Sequence, residues 1–322
     1  MSASFCAHAE EAALILANVD LNGTMGIAYI GGAISCMIYG VTCIQTFHYF
    51  RSHQSKTDAW YLRNVVALLL LLDTAHQAII VEALYHYVIT NYSNPFALLK
   101  ATWNIPTEVI INAVIAFVVE SFFVLRIWKL GRNRYVTAIA MLLTIAHLTM
   151  NLYYPIEQFF NPDFPAGVEK LKATGSSGLA VAVVADTFIS AAMVWYLHKG
   201  KSGIRKSDDM IGRIIALTIT TGGLTTTFVI LNLISYQVWP TLLYNLGINF
   251  LLGKLYINAL LTSLNSRTFV RTGHGAMEGS EAVSVSLSTF AAGPQFHTSD
   301  LSGTDGRQTL ADGSFSKIST VV

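Results

Sequence analysis

Charge is scarce in this chain. Asp, Glu, Lys and Arg make up only 12% of its 322 residues, against roughly 25% in a soluble domain. A chain of this length with so little charge cannot cover a water-facing surface, which excludes an ordinary soluble globular protein. The formal net charge is +1, so no overall field favours nucleic acid, and no nucleic-acid partner is expected. Cysteine is nearly absent as well. Cys6, Cys36 and Cys43 form no disulfide framework. Cys36 and Cys43 share a helix face in one apolar run and are expected to be packing residues. The first 23 residues carry Glu10, Glu11 and Asp20 but no Lys or Arg. They lack the positive start of a secretory signal, so the first spanning helix is expected to act as the targeting signal. Catalytic motifs are missing too. There is no His-Glu-x-x-His, no Gly-x-Ser-x-Gly and no phosphate loop. No enzyme activity, cofactor or metal is expected.

What the chain does have is apolar length. Hydrophobic residues make up 53% of it. They gather in seven continuous runs, near Met25–Phe47, Asn64–Ile89, Ile105–Trp128, Tyr135–Tyr154, Ser177–Leu197, Met210–Tyr236 and Thr241–Leu264. About 20 apolar residues cross a bilayer core. In lipid the backbone must bond to itself, so each run is expected to be an α-helix. A β-barrel would need short alternating segments instead. The fold class is therefore an all-α, seven-transmembrane helix bundle, and its lipid bilayer is its first expected partner.

Topology follows from Lys and Arg. Arg51, Lys56, Arg63, Arg126, Lys129, Arg132, Arg134, Lys199, Lys201, Arg205, Lys206, Arg213, Arg267 and Arg271 fall at one end of the bundle, against Lys100, Lys170 and Lys172 at the other. The positive-inside rule puts the N-terminus outside and the C-terminus in the cytoplasm. The sequons Asn22-Gly23-Thr24 and Asn91-Tyr92-Ser93 fall outside on that topology. Trp60, Trp103, Trp128, Trp195 and Trp239 all stand at helix ends, where amphipathic rings prefer the headgroup zone. Three regions result: an extracellular segment 1–24, the membrane domain 25–265, and a Ser/Thr/Gly-rich cytoplasmic tail 266–322 expected to be disordered. The longest outside connection is expected at Pro155–Gly175.

Ionisable residues inside a span are costly and mark interior contacts or cavities. They are Asp73, His76, Glu82 and His86 in helix 2, Glu108 and Glu120 in helix 3, His147 in helix 4, Asp186 in helix 5 and Lys254 in helix 7. Counted from the basic end, Asp73, Glu120, Asp186 and Lys254 lie roughly 12–18 Å deep, from the 1.5 Å rise per residue. A mid-membrane polar cluster of Asp73, His76, Glu120, Asp186, Lys254 and Asn258 is therefore expected, with Lys254 paired to one of the three acids. It serves either as an interhelical clamp or as a ligand or ion site. Glu82, His86, Glu108 and Asn112 are a candidate outward pocket, against ordinary interfacial polarity. The stretch Thr218–Thr227, with Gly222-Gly223 inside it, suits close packing or a bend.

Lys254 resembles the retinal lysine of microbial rhodopsins, but Phe250 stands where those carry an aspartate and threonines replace their aromatic helix-6 pocket. Helix 3 ends Leu125-Arg126-Ile127-Trp128 and helix 7 ends Thr262-Ser263-Leu264-Asn265, without the signatures of G-protein-coupled receptors. Other elements carry a closer likeness. They are Tyr39-Gly40 with Gln45 and Tyr49, Asp73-Thr74, Arg126-Ile127-Trp128, Ala185-Asp186, and Arg213 with Thr221-Gly222 and Leu224-Thr225. Lys254-Leu255-Tyr256, Asn258 and Leu264-Asn265-Ser266-Arg267 complete the set. Together they resemble an uncharacterised seven-helix membrane family of basidiomycete fungi, defined by a domain of unknown function. The resemblance implies a membrane location and a fungal origin, and no activity. Three functions stay open: a receptor-like or sensor protein of the plasma membrane, a transporter or ion-conducting protein using the mid-membrane acids and Lys254, and a structural membrane protein. A cytoplasmic signalling partner is expected at 199–213 and the tail.

Overall fold

The computed structural model describes residues 22–91, 100–160, 164–201, 205–239 and 242–272, without side chains at 22, 53–54, 164–169, 205–207, 209–210 and 267–272. All of them lie in the first of two compact units, Met1–Gly275. The expectations for Cys6, for residues 1–21 and for the tail beyond Thr272 fall outside the described residues.

Seven long helices carry the chain: α1 (Ile27–Arg51), α2 (Trp60–Tyr85), α3 (Asn104–Gly131), α4 (Arg134–Phe160), α5 (Phe164–Lys199), α6 (Arg205–Val238) and α7 (Tyr244–Thr272). A π-helical turn, Asn22–Gly26, leads into α1, and another, His86–Thr90, extends α2. No strand occurs among the described residues. Each of the seven includes a stretch long and apolar enough to cross a bilayer. The outward faces carry large apolar side chains such as Met37, Phe47, Leu71, Leu142 and Val184. That is the surface lipid requires and water forbids. Trp60, Trp103, Trp195 and Trp239 are exposed at helix ends.

Consecutive helices are neighbours, α1 closes the ring against α7, and α3 reaches inward to α5 and α7. Within its spanning stretch, α7 is 78% buried and α6 only 11%. The first is therefore the central post and the second a peripheral stave. Leu252, Tyr256, Ile257, Leu260 and Leu264 of α7 pack against Val66 and Leu69 of α2 and Ile115 and Val119 of α3. Lipid tails are as apolar as these side chains, so close packing and interhelical hydrogen bonds hold the helices together. Gly31 supplies the closest approach: a Cβ there would stand 2.6 Å from the Gly247 backbone. Below it, Asn265 donates to the Gln45 carbonyl at 3.0 Å and Asn258 to Thr42 Oγ1 at 2.9 Å. The paired polar positions at the ends of helices 1 and 7 are thus mutual anchors of α1 and α7.

Three expectations need correction. The connection Pro155–Gly175 is mostly helix, with Pro155 inside α4 and α5 starting at Phe164. The ring of Pro155 removes one backbone donor without ending the helix. Cys36 is exposed and Cys43 half-buried, so Cys36 faces outward rather than into the core. The face of α1 that packs runs through Ala28, Gly31, Ser35, Thr42, Thr46 and Tyr49 instead. Finally, α7 runs on to Thr272, past the expected start of the tail.

Candidate functional site

Lys254 is completely buried at the centre of α7. Its ammonium donates to Asp73 Oδ1 of α2 at 2.8 Å and to His76 Nδ1 at 3.1 Å. The Tyr39 ring of α1 faces it at 5.9 Å. An ammonium has only donors, so Nδ1 of His76 must be the bare, accepting nitrogen. Nε2 then carries the proton and donates to Glu108 Oε2 of α3 at 3.1 Å. This tautomer is assigned from the bonding pattern. Glu108 also accepts from Asn249 Nδ2 at 3.1 Å, and Asn249 Oδ1 accepts from Asn112 Nδ2 at 3.2 Å. Gly253 makes room for that last amide, since a Cβ would meet Asn112 Oδ1 at 2.9 Å. An unbroken chain of hydrogen bonds thus ties α2, α3 and α7 together. Burying an ion pair is expensive, and the second bond of Lys254, to His76, offsets part of the desolvation, while Asp73 Oδ2 has no protein partner. Neighbouring charges make removal of either partner more harmful than removal of both.

The other two acids form a second group. Glu120 of α3 takes His147 Nδ1 of α4 at 2.6 Å, and Asp186 of α5 accepts from the Tyr256 hydroxyl of α7 at 2.6 Å. Neither is bonded to Lys254 in this structure. The expected single cluster is therefore two groups, one on each side of α7. Asn258 turns away from the acids, donating to Thr42 and to the Lys254 carbonyl. A polar cavity of about 360 Å³, part of it open, lies between the groups, lined by Asn112, His147, Asn151, Asn249 and Tyr256 with apolar neighbours.

The outward pocket of Glu82, His86, Glu108 and Asn112 does not form. Glu82 is exposed, and His86 pairs with its own helix end through Asn91 Nδ2 at 3.0 Å. Glu108 and Asn112 point into the bundle instead. Helical rotation separates them: Glu82 and His86 lie on a face of α2 different from the one that carries Asp73, His76 and Ile80 inward.

A second opening lies nearer the basic end, among α3, α5, α6 and α7. This cleft encloses about 540 Å³, part of it open, and includes Glu120, Asp186, Thr218, Thr221 and Tyr256 in its wall. Tyr256 separates it from the polar cavity, since it lines both. No residue of 211–224 in α6 is fully buried; Ile211, Ile214 and Ile215 rest half-buried on the cluster that includes Val124, Ile127, Ile189 and Met193, so this half of the helix is held less deeply than α7. At Gly222 it lies close against α5, where a Cβ would sit 2.4 Å from Ser190 Oγ. Among the described residues no group of three His, Cys, Asp or Glu side chains is arranged to hold a metal ion.

His147, Asn249 and Tyr256 complete the site and were not singled out as site residues by sequence. For His147 a signal existed. From the basic ends of their helices, His147 and Glu120 both lie roughly 16–20 Å deep by rise per residue.

The comparisons with known proteins bear on the second half of the chain. Residues 182–269 match the model of DUF6534, a family of unknown function. The matched segment takes in the second half of α5, all described residues of α6 and nearly all of α7, and so contributes Asp186, Lys254 and Tyr256. Asp73, His76, Glu108 and Glu120 come from outside it. No curated protein and no solved structure matches the chain.

Proposed function

We propose that this multi-pass membrane protein is a receptor-like sensor of the plasma membrane, with its N-terminus outside and its basic end in the cytoplasm. The observation that carries the reading is the contrast between α7 and α6. Buried ionic groups fix α7 to α2 and α3, whereas the basic half of α6 has no fully buried residue and borders a partly open cleft. A weakly held helix half beside a dense polar core is the kind of element that takes two positions. A ligand preferring one position shifts the balance toward it. The segment 199–213 leads directly into this half of α6, so a cytoplasmic partner bound there would sense its position.

Proximity labelling in the native cell tests this, with the labelling enzyme fused after Val322. Recovery of signalling adaptors or kinases that is lost on deleting residues 199–213 is expected. Recovery of bulk membrane proteins alone counts against it. A transporter is the second reading, favoured by the unbroken chain from Asp73 through Glu108 to the cavity beside His147. In sealed vesicles it requires flux that Asp73→Asn, Glu120→Gln and Asp186→Asn each abolish. Flux unchanged by all three removes it.

A further inference from the structure

The walls of the α3–α5–α6–α7 cleft are short of hydrogen-bond donors. Thr218 and Thr221 spend their hydroxyl protons on carbonyls of their own helix, Ile214 and Leu217, at 2.8 Å each. Thr225 does the same to Gly222 at 2.9 Å. Tyr256 spends its proton on Asp186. Ser263 accepts from Arg126 Nη1. The threonines and Tyr256 thus turn oxygen lone pairs toward the cleft, and only the Ser190 and Ser263 hydroxyls keep a proton to give. Glu120 adds the decisive lone pair. It is 2% exposed and lines the cleft. Its Oε1 is taken by His147, and its Oε2 has no partner among the protein groups. A buried carboxylate oxygen left unpaired costs free energy that a donor would recover.

Apart from Ser190 and Gly222, the rest of the wall is apolar, with Val119, Phe123, Ile189, Met193, Leu217 and Ala259. A hydrated inorganic ion gains nothing from such a surface. A ligand with an apolar body and a donor-only head uses both parts of it. We infer that the cleft binds a small organic ammonium, its –NH3+ donating to Glu120 Oε2 beside Asp186 and its hydrocarbon body lying against Phe123 and Met193. Entry runs past the unburied half of α6. This deepens the sensor reading by naming the chemical class that would move α6, yet the binding step rests on the cleft alone.

The test uses the full chain in lipid nanodiscs, with phenethylamine as probe and phenethyl alcohol, methylamine and sodium chloride as comparators. Binding is read by equilibrium dialysis of the labelled probe and by thermal shift. Phenethylamine is expected to bind at least about tenfold more tightly than the alcohol, because the ammonium adds opposite charge to the hydrogen bond that either head makes with the Glu120 carboxylate. Glu120→Gln is expected to weaken the amine by about ten- to hundredfold and the alcohol much less. Thr221→Met fills the cleft from the lightly packed helix and abolishes amine binding, and it leaves the buried ionic groups intact should Glu120→Gln fold poorly. Equal binding of amine and alcohol, or amine binding that survives both variants, overturns the assignment. So does stabilisation by sodium or methylamine equal to that by phenethylamine. Amine binding that leaves the position of α6 unchanged sinks the sensor reading and keeps the site, whereas α6 movement without amine binding does the reverse.

Discussion

Replacing Lys254 by Met keeps the side chain's apolar stem and removes its ammonium. Asp73 would then be a fully buried carboxylate whose Oδ2 already lacks a protein partner and whose Oδ1 loses the donor 2.8 Å away. Breaking a buried pair from one side costs about 3–5 kcal/mol. For a domain of this size each 1 kcal/mol lowers Tm by about 2–4 °C, so a fall of roughly 6–20 °C is expected. The double variant Asp73→Leu/Lys254→Met removes both charges together. It is expected to melt near the wild type or above it, since replacing a buried pair by apolar groups is often neutral or stabilising by about 1–4 kcal/mol. Thermal unfolding of the four proteins in lipid nanodiscs, followed by circular dichroism, completes the cycle. A Lys254→Met protein melting within about 2 °C of wild type would refute the reasoning, because 1 kcal/mol alone moves Tm that far. So would a double variant that loses the sum of the two single losses.

Gly31→Ala drives a methyl into the Gly247 backbone and is expected to destabilise by about 1–3 kcal/mol, the usual penalty of overpacking. Gly40→Ala meets nothing within 4 Å and is expected to be neutral or to stabilise by about 0.5–1 kcal/mol, which the same melts compare. Tyr256→Phe leaves Asp186 without its 2.6 Å donor and is expected to cost about 1–3 kcal/mol, read in chemical unfolding. Cys36, exposed on the outward face of α1, is expected to react with a lipid-soluble maleimide faster than half-buried Cys43; equal rates would count against the orientation of α1. Fluorescence of Trp60 and Trp195 is expected to be quenched more by lipids brominated near the headgroup than near the chain end, and the opposite order would move the span boundaries.

The seven spans are legible in sequence because each apolar run is longer than any soluble core requires, and lipid leaves such a run only one backbone solution. Rise per residue places Asp73, Glu120, Asp186 and Lys254 at similar depth, but depth says nothing about rotation. A turn of about 100° per residue decides which acid a lysine meets. Lys254 therefore meets Asp73 while Glu120 turns to His147, a choice set by the ring order of the helices. Rotation also explains the outward pocket. Four polar residues near one end of α2 and α3 look alike in sequence, yet Glu108 is buried and Glu82 is not. Pro155 misled for a different reason: a proline removes a donor but does not forbid a helix whose neighbours hold it straight. The contribution of Asn249 and Tyr256 was hidden because neither side chain is charged, and the search for ionisable groups in α7 led to Lys254.

The central proposal is that the basic half of α6 takes two positions beside the ionic core that holds α7. Spin labels at Lys129→Cys on α3 and Arg213→Cys on α6, in a chain whose native cysteines are replaced, report that distance by double electron–electron resonance in nanodiscs. The account predicts two distance populations whose weights change in the stable double variant Asp73→Leu/Lys254→Met. A single distance distribution, identical in both proteins, would contradict it.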